Sequence, residues 1–278
     1  MVGPERKKKR RRWWLALVVC LLLVGYWALE NFTFRTTHTV ITDEKIRSSV
    51  TLALESDLHG ASYGVDNGLL VNAIQREQPD LVLALGDLYS SDAPQGRETA
   101  LKLMEQLAAR YPVYFVPGEH DRSRSFYEEL TMLGVHVLED TYAPVTVGST
   151  RLTLYGITNA YFPENFSLST VFDAPGTETY NLLMAHIPQG ETYAAWGPDL
   201  AVCGDTHGGI VRLPLWGPLY YQGDWIPRAE GRADVYDKGL FTLGDTKLYV
   251  TGGLGNYPLP LRLLNRPELA ILDLEPEG

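Results

Sequence analysis

Three apolar runs, Thr51–Glu55, Leu81–Leu85 and Val113–Val116, each stop abruptly on carboxylate or imidazole side chains. The residues that close them, Asp57, Asp87 and Glu119, stand 30 and 32 residues apart. Between the runs, Leu69, Leu70, Ala73, Ile74 and Glu77, and then Leu101, Met104, Leu107 and Ala108, fall on helical faces within Gly64–Pro79 and Gly96–Arg110. A third helical stretch, Ser125–Leu133, ends at Gly134. Alternation at this length predicts βαβ units with parallel strands. In such sheets ligands sit outside the carboxyl ends of the strands, where every one of these polar residues falls.

From Val135 the spacing shortens. Val135–Leu138, Ala143–Val147 and Arg151–Ile157 read as short antiparallel strands. Tyr180–Ala185 closes on His186, and Leu200–Cys203 closes on Gly204-Asp205-Thr206-His207, with a short helix over Glu191–Trp196 between them. Leu240–Leu243, Lys247–Val250 and Leu269–Leu272 are expected to complete a second sheet. The stretch Leu213–Gly239, rich in Gly, Pro, Trp and Tyr, reads as a surface insertion. Its Trp216, Tyr220, Tyr221 and Trp225 suit either a small core under a long loop or an apolar lip.

Five strand ends thus carry Asp57/His59, Asp87, Glu119/His120/Asp121, His186 and Asp205/His207, using four of the six histidines in the chain. Carboxylates and imidazoles brought to one crevice make a metal-ligand set. At these residues the chain resembles the calcineurin-like metallophosphoesterase superfamily, whose pattern is D-x-H, G-D, G-N-H-D/E, a lone H and G-H-x-H. Here it reads Asp57-Leu58-His59, Gly86-Asp87, Gly118-Glu119-His120-Asp121, His186 and Gly204-Asp205-Thr206-His207. Thr251-Gly252-Gly253-Leu254-Gly255 and Arg266-Pro267-Glu268 are similar to its membrane-associated bacterial branch. The resemblance implies an α/β (α+β) fold, a two-sheet β-sandwich flanked by helices. It implies two divalent cations and a metal-activated hydroxide as nucleophile. Asp57, His59 and His207 would hold the first cation, Asp87 would bridge, and Glu119, His186 and Asp205 would stand at the second. His120 would protonate the leaving oxygen, with Asp121 orienting its ring. Arg122, Arg212 and Asn256 are further candidates for contacting substrate.

Two positions depart from the pattern, and both belong to the second cation. Glu119 stands where the family has Asn, and Asp205 where it has His. The site becomes harder and more negative, which favours Mn²⁺, with Mg²⁺ or Fe²⁺ as alternatives, over Zn²⁺. The altered site is also the argument for a competing class, a non-catalytic metal-stabilised ectodomain that binds an envelope ligand. Retention of His120-Asp121 favours the enzyme.

The amino terminus is set apart by charge. Residues 1–12 carry seven Lys/Arg and one Glu, so the body keeps 17 of the 24 basic and 33 of the 34 acidic residues. An acidic body excludes a nucleic-acid groove, which needs cations against phosphates, and no feature points to a protein partner. Lys7–Arg12 is followed by Trp13–Leu29, 17 residues without a charge and with Trp13, Trp14, Tyr26 and Trp27 at its ends. This predicts a single-pass N-terminal transmembrane helix over 13–29, with a basic cytoplasmic segment before it and an extracytoplasmic body after it. The alternative, a cleaved signal peptide, lacks a small-x-small site at Gly25-Tyr26-Trp27-Ala28. Residues 30–47 read as a linker and edge strand, and 48–278 as one catalytic domain. Cys20 and Cys203 lie in separate apolar runs and predict no disulfide. Beside a bilayer, an acidic body suits a small or lipid-linked phosphodiester or pyrophosphate.

Overall fold

Strands buried on both faces read as unbroken apolar runs, and Val50–Glu55 (β2), Leu81–Ala84 (β3) and Val113–Phe115 (β4) form such strands in the computed structural model. The structure describes residues 4–93, 95–158, 166–221, 224–225 and 235–278. β2, β3, β4 and His136–Val137 (β5) pair in parallel. Two further strands extend this sheet beyond β2: Glu268–Pro276 (β16), antiparallel to β2, and the edge strand Arg35–Asp43 (β1), parallel to β16.

The second sheet has the order β14-β15-β9-β8-β7-β6, formed by Gly239–Leu243, Thr246–Val250, Leu200–Cys203, Tyr180–Met184, Thr150–Gly156 and Thr141–Val147 respectively. Its four central strands are parallel, and each edge is closed by an antiparallel hairpin partner. Two short hairpins, β10–β11 (Arg212–Leu213 with Gly217–Pro218) and β12–β13 (Tyr220–Tyr221 with Asp224–Trp225), lie in the insertion.

Alternation along the strands sorts the core into layers. Leu52, Leu54, Leu83, Leu154, Leu182 and Val202 meet between the sheets. Ala53, Val82 and Phe115 face outward, under α2 (Gly68–Glu77), α3 (Gly96–Ala108) and α4 (Arg124–Met132). On the other side Leu183, Ala201 and Leu248 pack beneath α5 (Gly190–Trp196). The molecule is a two-sheet sandwich with helices on both outer faces.

Two expectations are corrected and one open alternative is resolved. The strand expected over Leu269–Leu272 joins the first sheet, not the second. Leu269 and Ile271 fill the helix-side core while Ala270, Leu272 and Leu274 fill the inter-sheet core, so β16 needs a place with both faces covered. Val135–Leu138 likewise belongs to the first sheet, as β5, and is parallel to β4. Trp216 and Tyr220 are exposed rather than core; the side chains of Tyr221 and Trp225 lie outside the described residues.

Ahead of β1, α1 (Pro4–Phe32) contains Lys9–Phe32, 24 residues whose most apolar 18-residue stretch has mean hydropathy 1.9, long and apolar enough to cross a membrane. Its last turn is part of the folded body. Asn31 is 1% exposed, and its side-chain amide pairs with the Arg262 backbone, accepting from N–H at 2.8 Å and donating to C=O at 3.0 Å. Glu30 accepts from the Asn265 N–H at 3.0 Å. Cys20 and Cys203 are both free.

Candidate metal centre

The carboxyl ends of β2, β3, β8 and β9 converge on one point. Asp57, His59 and His207 offer ligand atoms within 4.8 Å of one another, as do Asp57, Asp87 and His186. Asp87 Oδ2 stands 3.7 Å from His59 Nε2 and 3.3 Å from His186 Nε2, between the two groups. Asp57 Oδ1 lies 3.8 Å from His207 Nε2 and 4.0 Å from His186 Nε2. Asp205 borders the second group, with Oδ1 3.9 Å from His186 Nε2.

The backbone explains why these residues follow strands and sit beside glycines. Asp57, His59, Asp87, Asp205 and His207 all have φ between +47° and +69°. Asp and His tolerate this left-handed region better than most side chains, at a cost that clusters at functional sites. The loops also touch. A Cβ at Gly118 would collide with the Asp87 carboxylate, and one at Gly204 with Ser56 Oγ and Asp57 Oδ2. Glycine before Glu119 and before Asp205 is therefore a packing requirement of the ligand cluster.

Second-layer bonds set the imidazoles. His186 Nδ1 donates to the Leu85 carbonyl at 2.7 Å, turning Nε2 toward Asp87. His59 Nδ1 lies 2.7 Å from Ser90 Oγ, and its ring is stacked between Tyr257 and His207, with centroids 4.5 and 5.2 Å away. Burial pushes the His59 pKa down to about 4. Burial and then the Arg262 guanidinium push His207 well below its ordinary value. Both rings are thus held neutral, the form that ligates.

The carboxylates show the complement. Burial raises Asp57 to about 7 and Asp205 to about 6, with neighbouring carboxylates adding to both. Burial also opposes ionisation of Asp87, yet His186, His59 and the His120 N–H outweigh it and hold its pKa below the carboxylate range. Burial opposes charge on His186, and Asp87, Asp57 and Asp205 raise its pKa nonetheless. His59 Nε2 and Asp57 Oδ2 are buried without a hydrogen-bond partner. Buried polar atoms are ordinarily paired. Orphaned donor atoms of ligand type, converging among carboxylates short of positive charge, fit divalent cations.

The remaining sequence candidates divide. His120 lies on the open side of the cluster, its ring centroid 5.4 Å from that of His59 and 4.6 Å from that of Tyr257. Its Nε2 is 3.5 Å from Glu119 Oε1, and the Glu119 side chain is 39% exposed, outside both tight groups. Asp121 departs from its expected role. Its two oxygens accept the Leu88 N–H at 2.9 Å and the Gly118 N–H at 2.8 Å, so it fastens two ligand loops together instead of orienting the His120 ring. Arg122 is exposed and turns Nε back to the Gly118 carbonyl at 3.3 Å. Arg212 is committed to Asp237 at 2.5 Å and the Gly208 carbonyl at 2.9 Å. Asn256 gives its amide N–H to the Asn31 carbonyl at the end of α1. These two brace loops beside the site.

Ser90, Tyr257 and Arg262 escaped the sequence reading. Arg262 is 1% exposed, donates to carbonyls of Gly253, Gly255, His207 and Asn265, and brings Nη2 to 3.3 Å from His207 Nδ1. Its one available signal was a lone cation inside Leu259–Leu264.

Comparison with known proteins finds a family and several relatives. The family model for calcineurin-like phosphoesterases matches residues 50–209. An uncharacterized metallophosphoesterase of Bacillus subtilis, YkuE, is 26% identical over 79% of this chain and 77% of its own length. The phosphodiesterase YaeI of Escherichia coli is 28% identical over 79% of this chain and 80% of its own. Among solved structures, a dimetal phosphatase from Danio rerio aligns with TM-score 0.40 and 13% identity over 73% of this chain and 87% of that one.

Proposed function

This chain belongs to the calcineurin-like phosphoesterase family, and from that premise we propose that it is a membrane-anchored hydrolase of a phosphodiester or pyrophosphate bond, working at a two-metal centre. The observation that carries the reading is the convergence of two ligand groups on a shared Asp57 and an intervening Asp87. In this reading Asp57, His59 and His207 would hold one cation and His186 and Asp205 the other, with Asp87 placed between the two groups and Glu119 beside the second on the open side. Bound divalent cations supply a water of lowered pKa and neutralise charge on the phosphoester oxygens. Asp87 keeps its carboxylate ionised, and the buried floor excludes bulk water. His120 gives its proton to the leaving oxygen, with Glu119 as the carboxylate that steers its ring. The carboxylate-rich second position favours Mn²⁺, Mg²⁺ or Fe²⁺ over Zn²⁺.

Placement follows from the amino terminus. Lys7–Arg12 stays in the cytoplasm, α1 crosses the bilayer, and the body lies on the outer face. The buried Glu30 and Asn31 support an uncleaved helix, because removing them would strip partners from the Arg262 and Asn265 backbone. The substrate is a small or lipid-linked phosphoester.

The test is hydrolysis of bis-p-nitrophenyl phosphate by the full chain in nanodiscs, with Mn²⁺, Mg²⁺ and Zn²⁺ supplied separately and Asp87→Ala as control. Turnover is expected with Mn²⁺ and absent in the control. Folded protein inactive with every metal would replace this reading with that of a binding ectodomain.

A further inference from the structure

A cavity of about 510 Å³ opens beside His59, within the range of sites that hold small organic molecules. The stacked rings of His59 and Tyr257 form the wall it shares with the metal centre. Asn31 and Phe32, the last residues of α1, line it as well.

The chemistry of this lining is one-sided. Among the described residues it contains no Lys or Arg, and Asp92 is its one carboxylate. A phosphate has no counter-charge there. The polar side chains are largely committed within the protein. Ser90 Oγ is 2.7 Å from His59 Nδ1, Ser62 Oγ donates to the Gly64 carbonyl at 2.9 Å, and Asp92 accepts the Tyr257 hydroxyl at 3.2 Å. The Asn31 amide is taken up by the Arg262 backbone. Sugar hydroxyls or a nucleobase edge would find few partners on such a wall. Beyond His59 Nε2 and Asn256 Oδ1, which are buried without a hydrogen-bond partner, what is left is apolar: Leu58, Ala61, Tyr63, Pro258 and Pro260.

The surroundings say where an apolar occupant comes from. Trp27 Nε1 donates to the Pro260 carbonyl at 2.9 Å, holding this loop against the apolar helix. The loop continues through Leu259, Leu261, Leu263 and Leu264, which are between 43% and 58% exposed. Contiguous exposed leucines beside an apolar helix mark a surface that meets lipid.

We propose that this cavity holds the hydrocarbon chain of an amphiphilic phosphoester drawn from the bilayer, with its phosphate at the neighbouring metal centre. The inference rests on the phosphoesterase reading and narrows its substrate to the lipid-linked class.

Two arms test it on the full chain in nanodiscs. In the first, dodecyl p-nitrophenyl phosphate is compared with methyl p-nitrophenyl phosphate. The dodecyl ester should have a KM lower by about tenfold or more, which two buried methylenes suffice to supply. Ala61→Trp, and Ser62→Trp at the exposed rim, should erase that difference by raising KM for the dodecyl ester, with kcat moving far less. Equal KM values for the two esters in the unaltered protein would overturn the proposal.

The second arm needs no turnover. In EDTA, a diazirine-bearing dodecyl methyl phosphate is photolysed with the protein and the labelled peptides are mapped. Label in Leu58–Tyr63 or Asn256–Pro260, lost in Ala61→Trp and competed by unlabelled dodecyl methyl phosphate, supports the cavity. Label confined to Trp13–Leu29 overturns it. If neither ester is hydrolysed while the cavity is labelled, the phosphoesterase reading fails and the assignment of the cavity stands.

Discussion

Glu119 and Asp205 come from different strand ends, yet Glu119 is among the charges that raise the pKa of Asp205. On the proposed reading each would put an anion where the family resemblance implies a neutral ligand, on the same edge of the cluster, and that edge would bind hard cations more strongly and Zn²⁺ more weakly. The double change Glu119→Asn with Asp205→His should move the ratio of Zn²⁺ to Mn²⁺ affinity toward zinc by about tenfold or more, since even outer-shell changes at metal sites cost that much. Competition between the two ions, read by calorimetry, measures it; an unchanged ratio would remove Glu119 and Asp205 from the cation's surroundings. At this scale the cluster was legible because each member ends an apolar run. Asp121 was not, because its partners are backbone amides of Leu88 and Gly118, and nothing in a sequence marks a particular amide as needing a carboxylate. Arg212 was misjudged for a related reason: its partner, Asp237, is 25 residues away across the insertion.

The elements are most informative where α1 ends. Asn31 serves as a strand partner for one residue, bonding both backbone groups of Arg262, whose side chain in turn reaches His207. The end of α1 and the ligand loop are therefore joined through buried side chains. Asn31→Ala would leave the Arg262 N–H and C=O unpaired in the interior, a loss of about 2–3 kcal/mol, and should lower Tm by about 5–10 °C for a body of this size. Calorimetry of the full chain would show it; a Tm within a degree of the unaltered protein would mean that α1 is only tethered. The helices themselves were readable from periodicity: of the expected faces, Leu70, Ile74, Met104 and Leu107 are buried and Ala73, Leu101 and Ala108 pack at the edge of the core, while Leu69 is exposed and Val71 takes its place. A run of adjacent apolar residues leaves the facing direction open by one position, and contact with the sheet decides it. β16 was misplaced because an apolar run specifies burial, not which sheet provides it.

Across the whole molecule, the sandwich gathers buried acids at one end and leaves them short of counter-charge, so stability and metal must be linked through pH. Burial raises Asp57 and Asp121 to about 7 and Glu55 well above its ordinary value, while three carboxylates raise His186 against its own burial. A group whose pKa is raised by folding stabilises the folded chain below its unfolded pKa and loses that contribution as pH rises through the folded pKa. Between pH 6.5 and 8 these four act in the same direction. His59 and His207 are neutral when folded but half protonated in the unfolded chain at pH 6.5, so they work weakly the other way, by about 0.4 kcal/mol each, and Asp87 is ionised in both states. The metal-free chain should therefore lose stability over this interval. Each pKa unit is worth about 1.4 kcal/mol, so Tm should fall by about 5 °C or more from pH 6.5 to pH 8. Divalent cations compete with the same protons for Asp57 and His186, so the stabilisation they bring should be larger at pH 8 than at pH 6.5. Calorimetric scans of the full chain in EDTA and in Mn²⁺ at the two pH values separate these effects. A metal-free Tm that holds or climbs toward pH 8 would mean that the buried acids already have their counter-charge within the protein, and the case for cations at this end of the sandwich would lose its electrostatic basis.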